Sequence, residues 1–462
     1  MVHITVSKGL DIPIKGRPEG SVKSISLGNY GPPPRVSLIA LDLNAFEETK
    51  FRVMVQPGDK VKIGQSLAED KEHPGRMFVS PAGGIIHEIR RGLKRRLLDI
   101  VIEVATNEES ESFSPMDPAE ASREELIDRL KQGGLFARIR QRPFNFLANP
   151  DKAPRSIFVK ALESAPFAPP SELQVSGYEK EFQRGLDALI KLTPGKVHLV
   201  YRKDSNSLIF PGVKGVEKHT VEGPHPAANH SLHIQEIDPI RSPTDTIWTL
   251  NASDVVAIGY FLLRGQYFFE RVISIAGPGI LPDCTGFFKV REGFPVEVLV
   301  KGRLEKGKVR LISGDILTGR TVETGDYLGF YDYGLCAIPE DNSREFLHFL
   351  RLGTDKYTFS KTYLSGHSND KQKEYDFTTK LHGEHRPFID PVLYDRVMPL
   401  NVSTMHLVKA VLAEDYDLAV SLGLIEVDSE DFALPSFVDP SKIEMGEIIK
   451  QGLRRYAADV LK

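Results

Sequence analysis

At 462 residues, with 41% hydrophobic and 26% charged side chains, the chain has room for about three globular domains and needs no disulfide or metal staple. The balance of 59 basic against 63 acidic residues, net −4, lacks the basic excess of a dedicated nucleic-acid binder. Cys284 and Cys336, the only two cysteines, are too few for a zinc site or an iron–sulfur cluster and suit a reducing compartment. The longest apolar run, Val255 to Leu263, falls short of the ~18–20 residues that span a bilayer. The alternating start MVHITVSKGLDIPIKG has no apolar signal core. A cytoplasmic protein that meets a membrane only through partners is expected.

The first hundred residues read as short strands (HITV, SLIAL, RVMV, MFVS, GIIHEI and LLDIVIEV) punctuated by PPP, PGD, HPG and GG turns. An acidic Ser- and Pro-containing linker follows. Ser122 and Glu125 then form a capping box that opens a helix ending at Gly133-Gly134. From Pro154, IFVKAL, GYEKEFQRGLDALIKLT and KVHLVYR alternate strand, helix, strand, the pattern of a small Rossmann-like α/β layer. From Asp254 to Leu328 strands are expected again, in VVAIGYFLL, RVISIAGPG, VEVLVKG and KVRLISGDILTG. Phe346 to His385 is weakly patterned, and helices dominate beyond Asp390. No tandem repeat is present.

Four segments invite chemistry. Val55–Asp59, Gly64–Leu67 and Ser80–Ile85 place glycines at hairpin turns, as in the barrel-sandwich fold of biotinyl and lipoyl carriers. On that fold Lys71 could be the modified lysine of a swinging arm, although His73-Pro-Gly75 reads as the hairpin tip. Arg90, Arg91, Lys94, Arg95 and Arg96 crowd one turn, either a solvated hairpin or a docking patch for an acidic partner or anionic headgroups. Gly133-Gly134 lead into Phe136, Arg138, Arg140, Arg142 and Phe144. This is a poor phosphate cradle, but rings beside guanidiniums could hold a planar quinone. The bland alternative is an arginine-rich turn packed on acidic surface. His219, His225, His230 and His233 could suggest a metal, yet no carboxylate or cysteine is interleaved before Glu236. Finally, the stretch ending at Asp439-Pro440 has the outline of a ferredoxin-like cluster loop, but its four ligand positions hold Ser429, Phe432, Pro435 and Asp439. No thiolate remains to bind a cluster.

Read together and in register, KGLDIPIKG, EDKEHPG, SPAGGII, EIRRGLKRRLLDIVIEV, FARIRQRPF, GPHPAANHSLHI, RVISIAGPG, VRLISGDILTG and FVDPSK resemble the NqrA family, nearly end to end. Its members are the A subunits of sodium-translocating NADH:quinone oxidoreductases. That family is similar in architecture to the flavin subunit of respiratory complex I and to the C subunit of the Rnf complex. The resemblance implies an α+β multidomain chain. Its parts would be a barrel-sandwich over residues 1–110, a helical linker and Rossmann-like domain over 111–253, and a β-grasp module of the soluble-ligand-binding kind over 254–330. An irregular connector over 331–389 and a helical domain over 390–462, shaped like a cluster domain without cysteine ligands, would complete it. It further implies a peripheral cytoplasmic component of a sodium-pumping complex, capping the membrane-embedded B subunit and contacting ubiquinone or menaquinone. Such a chain would have no redox cofactor, metal or catalytic residue of its own, with flavins and iron–sulfur centres held by partner subunits. The competing classes are a Lys71 carrier protein and a metal- or sugar-binding module built on the β-grasp segment.

Overall fold

The computed structural model describes residues 1–28, 37–205, 207–343, 346, 350–367 and 373–461. The Pro32–Pro34 turn expected from the sequence lies outside the described residues, as do parts of the connector.

Strands Leu38–Asp42, Leu97–Val104, Gly84–Arg91 and Lys60–Val61 form one small sheet, and Phe51–Val53, Ser66–Asp70 and Met77–Val79 a second. Between them Ile39, Leu41, Leu67, Phe78, Ile86, Ile100 and Ile102 make the core of a barrel sandwich. HITV is a strand too, but it pairs elsewhere. His3–Thr5 runs parallel to Glu217–Glu222 at the edge of the α/β sheet, and Lys23–Ser24 adds to the edge of the β-grasp sheet. The first residues therefore strap two other units together rather than closing the barrel.

The α/β unit places Glu217–Glu222, Lys196–Arg202, Ser156–Ala161 and Ile247–Asn251 side by side and parallel, in the order third, second, first, fourth. This is the half-Rossmann order, and it leaves a topological switch point between the first and fourth strands. Arg140–Arg142 and Phe146–Leu147 extend that edge antiparallel. The expected helix over Arg123–Gln132 carries its Ser122–Glu125 capping box.

Two expected strands are helices. The run VVAIGYFLL lies in the helix Ala252–Arg264, which belongs to the α/β unit rather than to the β-grasp module. A continuous apolar run has no period to distinguish strand from helix; the capping box of Asn251 with Asp254 and left-handed Gly265 set the outcome. This helix lies against Glu179–Leu192 at glycine-to-backbone range. A Cβ on Gly185 would meet Val255 O at 2.1 Å, and one on Gly259 would meet Glu181 O at 1.7 Å. VEVLVKG likewise forms the helix Val296–Val300, which buries Val296, Leu299 and Val300 at the i, i+3, i+4 spacing.

The third sheet orders Arg320–Val322, Val309–Ser313, Gly334–Pro339, Glu270–Ala276 and Gly286–Arg291, with the parallel first and last strands at its centre. This is a β-grasp arrangement with Val296–Val300 as its helix. The C-terminal helices Thr404–Leu412, Tyr416–Ser421, Ala433–Val438 and Met445–Val460 share a core with the N-terminal strap and the far face of the α/β sheet. Among the described residues, no helix is long and apolar enough to cross a membrane.

Candidate functional site

A cavity of about 350 Å3 opens at the C-terminal ends of the parallel strands, at the switch point, where the α/β, β-grasp and C-terminal units meet. The α/β unit contributes Arg138, Arg140, Arg142, Lys160, Glu163, His225, His230 and the segment Asn251–Asp254. The β-grasp unit adds Ser274, Tyr331, Tyr333 and Cys336, and the helical unit adds Asp428 and Glu430.

Arg140 and Arg142 are alternate residues of one strand, so their side chains share a face, and Arg138 ends the helical turn Leu135–Arg138 that leads into it. They do different work. Arg138 is buried and committed: it donates to Glu292 at 2.6 Å and to the Tyr267 hydroxyl at 3.1 Å, and pairs with Asp254 at 3.4 Å. Burial opposes its charge, but Tyr267, Glu292 and Asp254 outweigh burial and hold it firmly protonated. Arg142, 1% exposed, meets only neutral acceptors, chiefly Ser231 Oγ at 2.8 Å and the Glu426 carbonyl at 3.2 Å. Arg140 lies over the Tyr331 ring at 5.3 Å and reaches Asn145 Oδ1 at 3.4 Å. Among the described residues neither Arg140 nor Arg142 has a carboxylate in ion-pair range. Two guanidiniums outside any direct ion pair border the cavity, with Glu430 and Asp431 near enough to Arg142 to feel its charge, an arrangement that leaves donors for an acceptor-rich ligand.

The rest of the lining is acidic but partly neutral. Burial pushes the Glu430 carboxyl up to about 8, against the pull of Lys160 and with the repulsion of Asp428 and Asp431 behind it. Burial likewise raises Glu163, which accepts from Lys160 at 3.2 Å. His225 is lowered to about 4, mainly by burial, and its Nδ1 sits 3.0 Å from Ser164 Oγ. Cys336 donates weakly to the Gly314 carbonyl, and burial raises its thiol far above the usual range, so it offers no thiolate. Phe167 adds a ring at the cavity with φ +69, a conformation costly for an aromatic residue.

Phe136 and Phe144 do not line this cavity. Phe136 is fully buried edge-on to Trp248, 5.6 Å away, in the core beneath the sheet, and Phe144 packs near Phe146 and Tyr456 on the other side. Ring faces come instead from Phe167, Tyr331 and Tyr333. Reading the segment as continuous missed that the aromatic residues flank a strand whose arginines point the other way. Lys160, Glu163 and Glu430 also escaped the sequence reading, although a lysine inside the apolar strand IFVKAL was a usable signal. A flavin or dinucleotide phosphate does not fit here. The loop after the first strand carries Pro166, Pro169 and Pro170 where backbone N–H donors would be required.

The histidines disperse. His219 accepts from Val2 N through Nδ1 at 3.1 Å, so its Nε2–H faces His198 Nδ1 at 3.0 Å; His233 donates to the Ala227 carbonyl at 2.8 Å. Among the described residues no three His, Cys, Asp or Glu side chains are placed to hold a metal ion. At the loop ending in Asp439-Pro440, buried Asp439 accepts from the Tyr394 hydroxyl at 2.8 Å and from Ser441 N and Ile443 N at 2.9 Å each, tying the turn together. Lys71 is exposed in the turn after Ser66–Asp70, its N–H bonded to the Lys50 carbonyl.

The basic turn divides. Arg90 forms a two-pronged pair with Asp99 at 2.6 and 2.8 Å, donates to the Gly325 carbonyl and covers Tyr327, so it joins the barrel to the β-grasp unit and is not a free docking group. Arg91 holds the Arg95 carbonyl, and Arg96 holds the Asn44 carbonyl. Lys94 and Arg95, at φ +53 and +61, present their side chains to solvent beside Leu93, which is 93% exposed.

The sequence matches the NqrA N-terminal barrel-sandwich hybrid domain over residues 4–105, the NqrA second alpha/beta domain over 121–267 and the NqrA C-terminal domain over 272–324. It is 37% identical to the A subunit of the Na(+)-translocating NADH-quinone reductase of Chlamydia caviae, over 99% of this chain and 97% of that one. The chain belongs to the NqrA family. The corresponding A subunit from Saccharophagus degradans is 36% identical over 98% of this chain and 99% of its own length. A solved NAD+-reducing [NiFe]-hydrogenase in the air-oxidised state superposes with a TM-score of 0.37 and 9% identity, over 76% of this chain and 67% of that chain, too loosely to bear on function.

Proposed function

We propose that this NqrA-family chain works as a peripheral, cytoplasmic-side component of a sodium-pumping NADH:quinone oxidoreductase, capping the membrane-embedded B subunit and receiving the head of ubiquinone or menaquinone in the switch-point cavity. Electrons would come from flavins and iron–sulfur centres in partner subunits. Family membership supports the setting. The observation that carries the quinone contact is the pair of guanidiniums, Arg140 and Arg142, held by neutral acceptors and not by direct ion pairs, beside the Phe167, Tyr331 and Tyr333 rings. A quinone ring offers flat apolar faces and two carbonyl acceptors, which such a set complements. As the ring is reduced, negative charge develops on those oxygens, where fixed guanidiniums stabilise it most. Glu430, protonated at neutral pH, lines the same cavity as a proton donor. Arg138, held by Glu292 and Asp254, positions the segment rather than the ligand. The exposed Lys94–Arg95 tip would contribute to docking.

Equilibrium dialysis of a short-tailed quinone against the purified chain tests the contact. Saturable binding that weakens at least about tenfold in Arg140→Ala, with an unchanged circular dichroism spectrum, is expected, on the scale of a lost charged hydrogen bond. Absence of saturable binding to the parent, or equal binding by the variant, refutes it. Co-purification with a flavin-containing NADH dehydrogenase from gently solubilised membranes tests the setting.

A further inference from the structure

Behind the switch-point cavity lies a second, smaller chamber of about 220 Å3, between the helix Ser171–Val175 and the β-grasp strand Glu270–Ala276. Arg138, Gln174, Ser253 and Tyr333 line both spaces, so the two adjoin with these four side chains between them. That boundary is built. Gln174 clamps the strand in both directions, donating to Val272 O at 2.6 Å and accepting from Val272 N at 3.1 Å, while Ser253 donates to the Tyr333 hydroxyl at 2.8 Å.

The two spaces differ in what they leave unsatisfied. His230 Nδ1 and Ser274 Oγ, both bordering the first cavity, are buried polar atoms without partners, and so is Arg138 Nε at the boundary. In the second chamber the charged groups are engaged: Tyr178 donates to Glu270 at 2.7 Å, Lys289 pairs with Glu270 at 2.6 Å, and Arg271 pairs with Glu292 at 3.1 Å and donates to the Gly329, Phe330 and Asp332 carbonyls. What remains facing that space is Val22, Leu173, Phe268 and Val272. A polar cavity with vacant hydrogen-bonding atoms, beside a chamber whose charged groups are paired and whose other walls are apolar, suits an amphiphile with a polar head and a branched aliphatic chain.

We infer that the chamber walled by Leu173, Phe268 and Val272 receives the first isoprenoid unit of the quinone whose ring occupies the switch-point cavity. The inference rests on the quinone reading of that cavity. Leu173, on a short surface helix and outside the first cavity, is the residue to change.

The test measures binding of two probes to the full-length chain: a dimethoxy-methyl-benzoquinone without a side chain, and the same ring bearing one isoprene unit. In the parent the isoprene should tighten binding about tenfold or more, as added carbons do in a hydrophobic pocket. Leu173→Trp, which fills the chamber, should abolish that gain and leave the tail-free ring unchanged. Leu173→Ala, the safer variant for folding, should reduce the gain by removing part of the wall. A gain that persists in both variants, or a ring that binds equally with and without isoprene, overturns the chamber while leaving the ring site standing. Failure of both probes to bind the parent refutes the ring site itself, and the chamber with it.

Discussion

Phe136→Ala separates a packing role from a ligand role within one segment. The ring is fully buried, edge-on to Trp248 at 5.6 Å, with Leu135, Ile139 and Phe261 in the same core. Truncation removes its transfer free energy and leaves a cavity that a β-sheet floor cannot close, a cost of about 3–5 kcal/mol. Trp248 is the chain's only tryptophan, so its fluorescence reports this core directly. With a urea slope of about 3 kcal/mol per molar, that cost lowers the fluorescence midpoint by roughly 1–2 M. The tail-free quinone should bind the still-folded variant at low urea as it binds the parent. A midpoint within about 0.3 M of the parent, together with lost quinone affinity, would show the ring at the ligand and refute this assignment.

Two further outcomes follow from charge. Glu430 titrates at about 8 in the fold against an ordinary 4.5, so its contribution to stability is fully present below about 4.5 and lost as pH rises through 8. Glu430→Gln should therefore match the parent's thermal midpoint near pH 5 and exceed it near pH 8.5; an unchanged difference across that range contradicts the burial argument. At the basic turn, charge reversal at Lys94 and Arg95 should weaken recovery of the complex in a salt-dependent way and cost under ~1 kcal/mol of stability. Arg90→Glu, by stranding buried Asp99, should cost about 3–5 kcal/mol, and equal stability effects from the two changes would refute the division.

Periodicity and punctuation made most of the fold legible. Amphipathic Glu179–Leu192 and Met445–Val460 declare their buried faces, and the Ser122 capping box and the hairpin tip at His73-Pro-Gly75 stand where the sequence puts them; Gly64 and Gly84, expected at hairpin turns, lie instead where the chain crosses between the two barrel sheets. The reading failed where period carries no information. Val255–Leu263 is apolar on every side because its helix is sandwiched against the sheet and against Glu179–Leu192, and only the flanking Asn251, Asp254 and Gly265 betray it. The N-terminal HITV was legible as a strand but not as a partner of Glu217–Glu222, because parallel pairing across more than 200 residues leaves no local signal.

The candidate site was legible by residue type and not by direction. Arg140 and Arg142 converge on one cavity as alternate residues of a strand, and Arg138 joins them from the end of the helical turn Leu135–Arg138. Strand alternation sends Ile139 into the core below, and Phe136 reaches the same core from within the turn, where the strand rule does not apply. What completes the cavity comes from three distant places, Lys160 near the end of the first strand with Glu163 just after it, Tyr331 and Tyr333 in the β-grasp unit, and Glu430 in the helical unit. No spacing rule links residues 138, 333 and 430; the strand order does, because the switch point is where the sheet turns its strand ends outward. A ligand held there contacts all three units at once. Binding and the packing of those units are therefore coupled, so a ligand that favours the assembled cavity must also stabilise the fold against unfolding, by an amount set by its concentration relative to its dissociation constant.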